Sequence, residues 1–252
     1  MSRRLRLDAE LVRRQLVPSR AHGAKVIEAM QVVVNGAIAD KASRLVLPGD
    51  AIVLTGPGAR FVSRGGEKLD AALEQFAIDV SGMVALDAGA STGGFSDCLL
   101  QRGAARVVAL DVGHGQLHPR IRADQRVLVL ERFHIRDAHP DALGGLMDLV
   151  VADLSFISIT RVLAPLIAAC VPGAPMVLLV KPQFEAGRQE VARGHGVISD
   201  PAIHERVREE VHAALVGAGC DVVAWMMSPL TGAQGNVEML VHARTPRSGS
   251  QP

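Results

Sequence analysis

The stretch MVALDAGASTGGF, residues 83–95, decides the fold. Met83 to Leu86 are apolar without alternation. They run into Asp87 and a cluster of small residues, Gly89, Ser91, Thr92, Gly93 and Gly94, before Phe95. A continuous apolar run fits a strand buried on both faces, as in a parallel sheet covered by helices. Small residues after it let backbone amides approach a ligand where the next helix begins. The motif is neither G-x-x-x-x-G-K-[ST] nor G-x-G-x-x-G, so a phosphate-cradling loop and a nicotinamide fingerprint are both disfavoured. Ser91 does not sit in a G-x-S-x-G elbow, which argues against a hydrolase nucleophile.

Downstream, the same strand pattern repeats in ARVVALDVG (105–113), RVLVLERF (126–133), MDLVVADLSF (147–156) and APMVLLVKPQF (174–184). Helical stretches separate several of these runs. The clearest is PAIHERVREEVHAALVGAG (201–219), with Asp200-Pro201 as cap and first turn. Its Ile203, Val207, Val211 and Leu215 form one stripe. CDVVAWMMSPL (220–230) and NVEMLVHAR (236–244) follow with no helix between them, which predicts an antiparallel pair at one sheet edge. The expectation is an α/β fold, a Rossmann-like doubly wound sheet with an antiparallel terminal hairpin. Trp225, Met226 and Met227 read as sheet packing.

Strand ends in such a sheet open into one crevice. The second strand ends in Asp111, where an acid commonly accepts hydrogen bonds from ribose hydroxyls of an adenosine-containing ligand. Asp153 ends LVVAD and Lys181 ends MVLLV. Lys68 lies in SRGGEKL just before the sheet, and Glu238 opens the last strand. Singly, each fits a solvated charge; only the fold can bring the four together.

The first 60 residues differ in character. They hold ten Lys/Arg against five Asp/Glu, whereas the whole chain of 252 residues carries only +1. A basic piece on a mildly acidic body suits a polyanion-binding module. Leu7, Leu11 and Val12 share one helical face, and Ser19 can cap a second helix from Arg20 to about Met30. VVVNG follows, and LVLPGDAIVL reads as strand, Gly49-Asp50 turn and strand, a hairpin. The expected layout is a small α+β domain over 1–55, a linker over 56–62, the sheet domain over 63–245 and a disordered tail over 246–252.

Apolar residues make up 48% of the chain, enough for a sizeable core, while aromatics are 3% with no Tyr. No apolar run approaches ~18 residues, so nothing is expected to span a membrane. MSRRLRLDAE has no apolar stretch behind its charges and is not a secretory signal. Cys98, Cys170 and Cys220 lack CxxC spacing, which fits core packing and a reducing cytoplasm. His114 and His118 are four apart without a third ligand, so no metal is expected.

Taken together, DAGASTGGF, DVGHGQL, DLVVADLSFIS, LVKPQFEAG, SPLTGAQGNVE and VSRGGEKLDAAL resemble the TlyA family. That family is often labelled hemolysin A and is grouped with FtsJ-like ribose methyltransferases. The block from LDAELVRRQL to VLPGDAIVL is similar to the alpha-L, or S4-like, RNA-binding domain. The resemblance implies transfer of a methyl group from S-adenosyl-L-methionine to a ribose 2′-oxygen, usually of cytidine, in ribosomal RNA or ribosomal subunits. It implies a Lys-Asp-Lys-Glu tetrad at Lys68, Asp153, Lys181 and Glu238. Cofactor contacts are expected from Asp87, Gly89, Ser91, Thr92, Gly93, Gly94, Phe95 and Asp111. FtsJ-like relatives carry an adenine-contacting acid after the third strand. Here His134 stands in its place, and adenine recognition falls to His134, backbone groups or Asp137.

On this reading Lys181 is the base that accepts the hydroxyl proton, with Asp153 orienting it. A free lysine titrates near ~10.4, so burial and neighbouring cations must favour its neutral form. Lys68 positions the ribose or phosphate, and Glu238 fixes one of the lysines. Arg3, Arg4, Arg13, Arg14, Arg20 and Lys25 hold the RNA backbone, giving affinity without sequence readout. A monomer is favoured. Competing readings are a non-catalytic ribosome-assembly protein that keeps the fold, and a haemolysin. The intact tetrad argues against the first, and the lack of a spanning or strongly amphipathic cationic segment against the second.

Overall fold

A computed structural model of the chain describes residues 4–55 and 60–247. Arg3, most of the expected linker and residues 248–252 of the expected tail lie outside the described residues. The chain divides into two compact units, 1–63 and 64–252.

In the first unit, β1 (Leu5–Arg6), α1 (Leu7–Arg13) and α2 (Arg20–Glu28) are followed by four short strands. These are β2 (Val32–Val34), β3 (Ala37–Ile38), β4 (Leu45–Val46) and β5 (Ile52–Leu54). Ser19 caps α2, its hydroxyl accepting the His22 amide at 3.2 Å. Leu7, Leu11, Ile27, Val32, Val34 and Val46 close one small core. The expected hairpin around Gly49-Asp50 does not form. β4 pairs with β1, and β5 pairs with β2, so the two strands flanking that turn enter different sheets. The hairpin lies instead between β2 and β3, at Asn35-Gly36, where both residues take positive φ, 52° and 84°. That is the backbone a tight two-residue turn between twisted strands requires. The Asp50 carboxylate explains the difference. It accepts the Leu47 amide at 2.8 Å and the Asn35 side-chain amide at 2.9 Å, tying one turn to the other.

The second unit opens with α3 (Gly65–Gln75), a helix to which the sequence pattern assigns no element. Then β6 (Val84–Ala88), α4 (Gly94–Gln101), β7 (Arg106–Asp111), α5 (Pro119–Arg122) and β8 (Val127–Glu131) alternate. α6 (Pro140–Leu143), β9 (Leu149–Ala152), α7 (Leu163–Ala168), β10 (Pro175–Val180), α8 (Pro182–Glu185) and α9 (Arg188–Arg193) continue. α10 (Pro201–Gly217), β11 (Asp221–Met227) and β12 (Met239–Arg244) complete it. The seven strands order as β11-β12-β10-β9-β6-β7-β8. β6 to β10 are parallel; β12 inserts antiparallel beside β10, with β11 on the edge.

Both faces of the sheet are covered. Leu86, Val108, Val150, Leu178 and Val241 join one core cluster with Val207, Val211 and Leu215 of α10. Ala85, Val107, Val151 and Val177 lie outside that cluster yet are fully buried. Burial of each α10 anchor stabilises the packing by roughly 1.5–3 kcal/mol. Met227 departs from the expected sheet packing; at the end of the edge strand it is 56% exposed.

Candidate active site

The parallel strands deliver their carboxyl ends to one side, and the β6 end is shaped by glycine. Gly89 has φ +87°, and a Cβ there would lie 2.6 Å from the Asp153 carbonyl oxygen. Only glycine lets the ends of β6 and β9 come this close. Gly93, at φ +94°, starts α4. Asp87 is fully buried at the end of β6. The Ser96 hydroxyl donates to its Oδ2 at 2.6 Å, while Oδ1 has no hydrogen-bond partner among the described residues. Burial, reinforced by the charges of Asp153 and Asp111, pushes its carboxyl up to about 7.

A cavity of about 430 Å³ opens over this turn. Gly89, Ser91, Asp111, Val112, His134 and Asp153 are among its lining residues. Asp111 accepts the amides of Ser91 and Gly113, both at 2.7 Å, which fixes its carboxylate at the rim. Ser91 itself has φ +46°. Of the expected cofactor residues, Gly89, Ser91, Asp111 and His134 line the cavity; Asp87, Thr92, Gly93, Gly94 and Phe95 do not. Phe95 is 3% exposed and packs inside the protein, so its role is to seat α4.

The four tetrad residues come from four places. Asp153 follows β9 and Lys181 follows β10. β10 and β12 are antiparallel with Val180 opposite Met239, so Lys181 and Glu238 flank the mouth of that ladder. Lys68 arrives from α3, which an Asp70–Arg102 ion pair of 2.7 Å ties to α4. Two pairs result, one buried on both sides and one whose carboxylate is partly exposed. Lys68 Nζ donates to Glu238 Oε2, with the residues 7% and 3% exposed. Lys181 Nζ lies 2.5 Å from Asp153 Oδ1, a charge contact off the hydrogen-bond angle, and donates to Ser155 Oγ at 3.1 Å. Buried charges persist only when paired in this way.

Four further residues shape this region. Ser155 holds Lys181. Phe156 has φ +65°, is 91% exposed, and meets the Phe184 ring at 5.3 Å between centroids. A large aromatic side chain held in the left-handed region and turned to solvent is costly, so its placement points to a ligand. Glu185 clips the two loops together, its carboxylate accepting the Ser158 hydroxyl at 2.5 Å and the Ile159 amide at 2.8 Å. Burial raises the Glu185 carboxyl above its ordinary value. A Cβ on Gly232 would meet Glu238 Oε1 at 2.0 Å. DLSF, KPQFE and TGAQGNVE contain all four, but no spacing rule marks them. A cleft of about 990 Å³ continues past Phe156, with Arg136, Arg161, Phe184 and His195 on its walls.

In the first unit Arg4 and Lys25 are exposed. Arg13 and Arg20 pair with Glu10 and Asp8 but keep 54% and 60% of their side chains exposed. Arg14 departs from the expected RNA contacts. It bonds Glu10 at 2.7 Å and the carbonyls of Asp50, Leu47 and Pro48 at 2.7, 3.3 and 2.9 Å. Its guanidinium is a strut of the small domain.

All three cysteines are buried, and burial pushes Cys170 and Cys220 up to about 12 and 11, which removes them as nucleophiles. His114 contacts Glu131 at 2.8 Å and His118 caps α5. Among the described residues no group of three metal-ligating side chains occurs, and no helix is long and apolar enough to cross a membrane.

Residues 61–245 match the FtsJ-like methyltransferase family, and residues 5–52 match the S4 domain. The chain is 49% identical over 246 residues to the 16S/23S rRNA (cytidine-2'-O)-methyltransferase TlyA of Mycobacterium tuberculosis, covering 97% of this chain and 91% of the relative. It is 38% identical over 240 residues to hemolysin A of Brachyspira hyodysenteriae, covering 94% and 99%. A solved chain from Streptococcus thermophilus that carries a hemolysin label superposes with a TM-score of 0.76 at 39% identity, covering 99% and 92%. The glycine turn, the parallel sheet with its inserted antiparallel strand and this likeness agree: the chain belongs to the FtsJ-like methyltransferase family and carries an S4 domain ahead of it.

Proposed function

We propose that the chain is an S-adenosylmethionine-dependent 2′-O-methyltransferase of cytidine ribose in ribosomal RNA. The observation that carries this reading is the pair of lysine–carboxylate contacts, Lys181–Asp153 and Lys68–Glu238, at the mouth of β9, β10 and β12.

The residues present fit the cofactor. Asp111 at the rim suits ribose hydroxyls, Val112 and Ile135 offer apolar surface to a purine, and the Gly89 cradle admits close backbone approach. The buried, half-satisfied carboxyl of Asp87 suits a cationic ligand overhead. S-adenosylmethionine supplies a sulfonium-bound methyl group that is already electrophilic. The protein must then align the 2′-hydroxyl and remove its proton. Lys181 would accept that proton on Nζ as the methyl carbon leaves sulfur for the 2′-oxygen, the carbon–sulfur bond breaking with its electron pair as the carbon–oxygen bond forms. Asp153 and Ser155 hold Nζ in place and receive the ammonium that results. Lys68, fixed by Glu238, positions the ribose or its phosphate. Phe156, exposed beside Lys181, offers a face on which an unstacked base can lie.

Arg4, Arg13, Arg20 and Lys25 hold the RNA backbone from the first unit, and Arg136 and Arg161 do so along the cleft. The protein acts in the cytoplasm, where its substrate is made. The test is transfer of labelled methyl from S-adenosylmethionine to isolated small and large ribosomal subunits that lack the modification. Label incorporated by the wild type and lost in Lys181→Ala supports the reading and names the subunit. No label on either subunit, with measurable cofactor binding, favours a non-catalytic assembly role.

A further inference from the structure

His134 lines the 430 Å³ cavity together with Asp111, Val112 and Ile135. Its Nδ1 accepts the backbone amide of Arg136 at 3.0 Å. A backbone amide can only donate, so Nδ1 must carry a lone pair. The neutral ring therefore keeps its proton on Nε2. The arrangement is local chemistry that the chain repeats. His118 accepts the Arg120 amide at 3.1 Å and His139 accepts the Ala142 amide at 3.3 Å, both through Nδ1. Those two histidines do not line the cavity. His134 does, and no acceptor among the described residues pairs with its Nε2.

A carboxylate and this imidazole have opposite hydrogen-bond sense. A carboxylate accepts, and on adenine the only donor is the exocyclic 6-amino group. Nε2–H donates, and on adenine the acceptors are the ring nitrogens N1, N3 and N7. We propose that His134 reads the adenine of the cofactor as a donor to a ring nitrogen, rather than as an acceptor from the 6-amino group. The inference rests on the S-adenosylmethionine reading. Its consequence is a changed specificity: the ring lone pair, not the amino group, is what this side chain selects for. Asp137, three residues on and exposed, does not line the cavity.

The test is calorimetric binding of S-adenosylhomocysteine, its 1-, 3- and 7-deaza analogues and its N6,N6-dimethyl analogue. The proteins are full-length wild type, His134→Ala, His134→Asn and His134→Asp. His134→Asn can still cap the turn through its side-chain oxygen, so it separates loss of the cap from loss of the contact. One deaza analogue should bind wild type about tenfold more weakly than the parent, the scale of one hydrogen bond. That penalty should vanish in His134→Ala. The N6,N6-dimethyl penalty should be equal in those two proteins and should grow in His134→Asp. The inference is overturned if no deaza penalty depends on His134, or if the dimethyl penalty is the one that His134→Ala removes. Nitrogen-15 shifts of the wild-type ring give a reading that needs no variant: a protonated Nδ1 in the neutral ring overturns it. If S-adenosylhomocysteine itself fails to bind wild type, the cofactor reading falls and this one with it. Binding with no coupling to His134 sinks this inference alone.

Discussion

At the scale of single residues, the site is a problem of buried charge. Lys68 and Glu238 are almost wholly excluded from water. Removing one partner leaves the other charged and unpaired, at a cost of about 3–5 kcal/mol, whereas replacing both by apolar residues of similar size costs far less. We therefore expect Glu238→Ala to lower the melting temperature sharply and a Lys68→Met, Glu238→Leu double variant to recover most of it while staying inactive. A thermal melt and a transfer assay on the same samples check both halves. Gly232→Ala attacks the pair from outside, since the added methyl would fall on Glu238 Oε1. Turnover should drop by at least tenfold with a much smaller change in melting temperature; wild-type turnover would show that Glu238 does not need its place. Asp87 has its own signature. Its ordinary value is 3.8, and burial in the folded state raises it to about 7. The folded protein thus binds more protons than the unfolded chain between those values. This residue's contribution is fully present below about 3.8 and is lost as pH rises through about 7. Asp87→Asn should flatten the fall in stability that denaturant titrations of the wild type are expected to show between about pH 4 and 7.

At the scale of elements, strands and helices differed in how well they could be read. β6, β7, β9 and β10 are runs of four to six largely apolar and largely buried residues, and β8 is a half-buried run at the sheet edge. α10 carries its cap, its first-turn proline and its stripe in one segment. The small sheets were misjudged because two- and three-residue strands have too little pattern to name a partner. There, side chains of Asn35 and Asp50 decide the pairing. α3 was missed because it opens on Gly65-Gly66, which reads as a turn, although it delivers Lys68. The tetrad positions were visible as polar groups at strand ends. Phe156 and Gly232 were not, because exposure and close approach are properties of the folded chain. α1 yields a prediction of its own. Asp8 and Glu10 are held down to about 2, chiefly by hydrogen bonds from Arg6 and Arg13 respectively. Lowered carboxyls contribute stability above their ordinary values, and that contribution is lost as pH falls from about 4 to 2. Amide protection factors in residues 4–55 should fall across that window. Arg14→Ala, which removes the strut to the Leu47–Asp50 turn, should lower them already at neutral pH. Exchange unaltered by that substitution would assign the turn's stability elsewhere.

At the scale of the whole molecule, charge is divided between the parts, with a basic first segment on a chain of net charge +1. Backbone contacts to RNA release counterions, so each cation engaged steepens the salt dependence of binding. Replacing Arg4, Arg13, Arg20 and Lys25 together by Gln should weaken rRNA binding and make its salt slope shallower by up to about 4 on a log–log plot. Binding of S-adenosylhomocysteine should be unchanged. An unchanged slope would place the RNA contacts on other residues. The central claim, that Lys181 takes the proton from a ribose hydroxyl, is tested most directly by finding where the methyl group goes. Ribosomal subunits lacking the modification are incubated with cofactor and either wild type or Lys181→Ala, and their nucleosides are separated by mass spectrometry. The account predicts 2′-O-methylcytidine with wild type. It predicts a loss of at least a hundredfold with Lys181→Ala, while that variant binds S-adenosylhomocysteine within a few-fold of wild type. A methyl group on the base, or the same yield of 2′-O-methylcytidine from the variant, would contradict it.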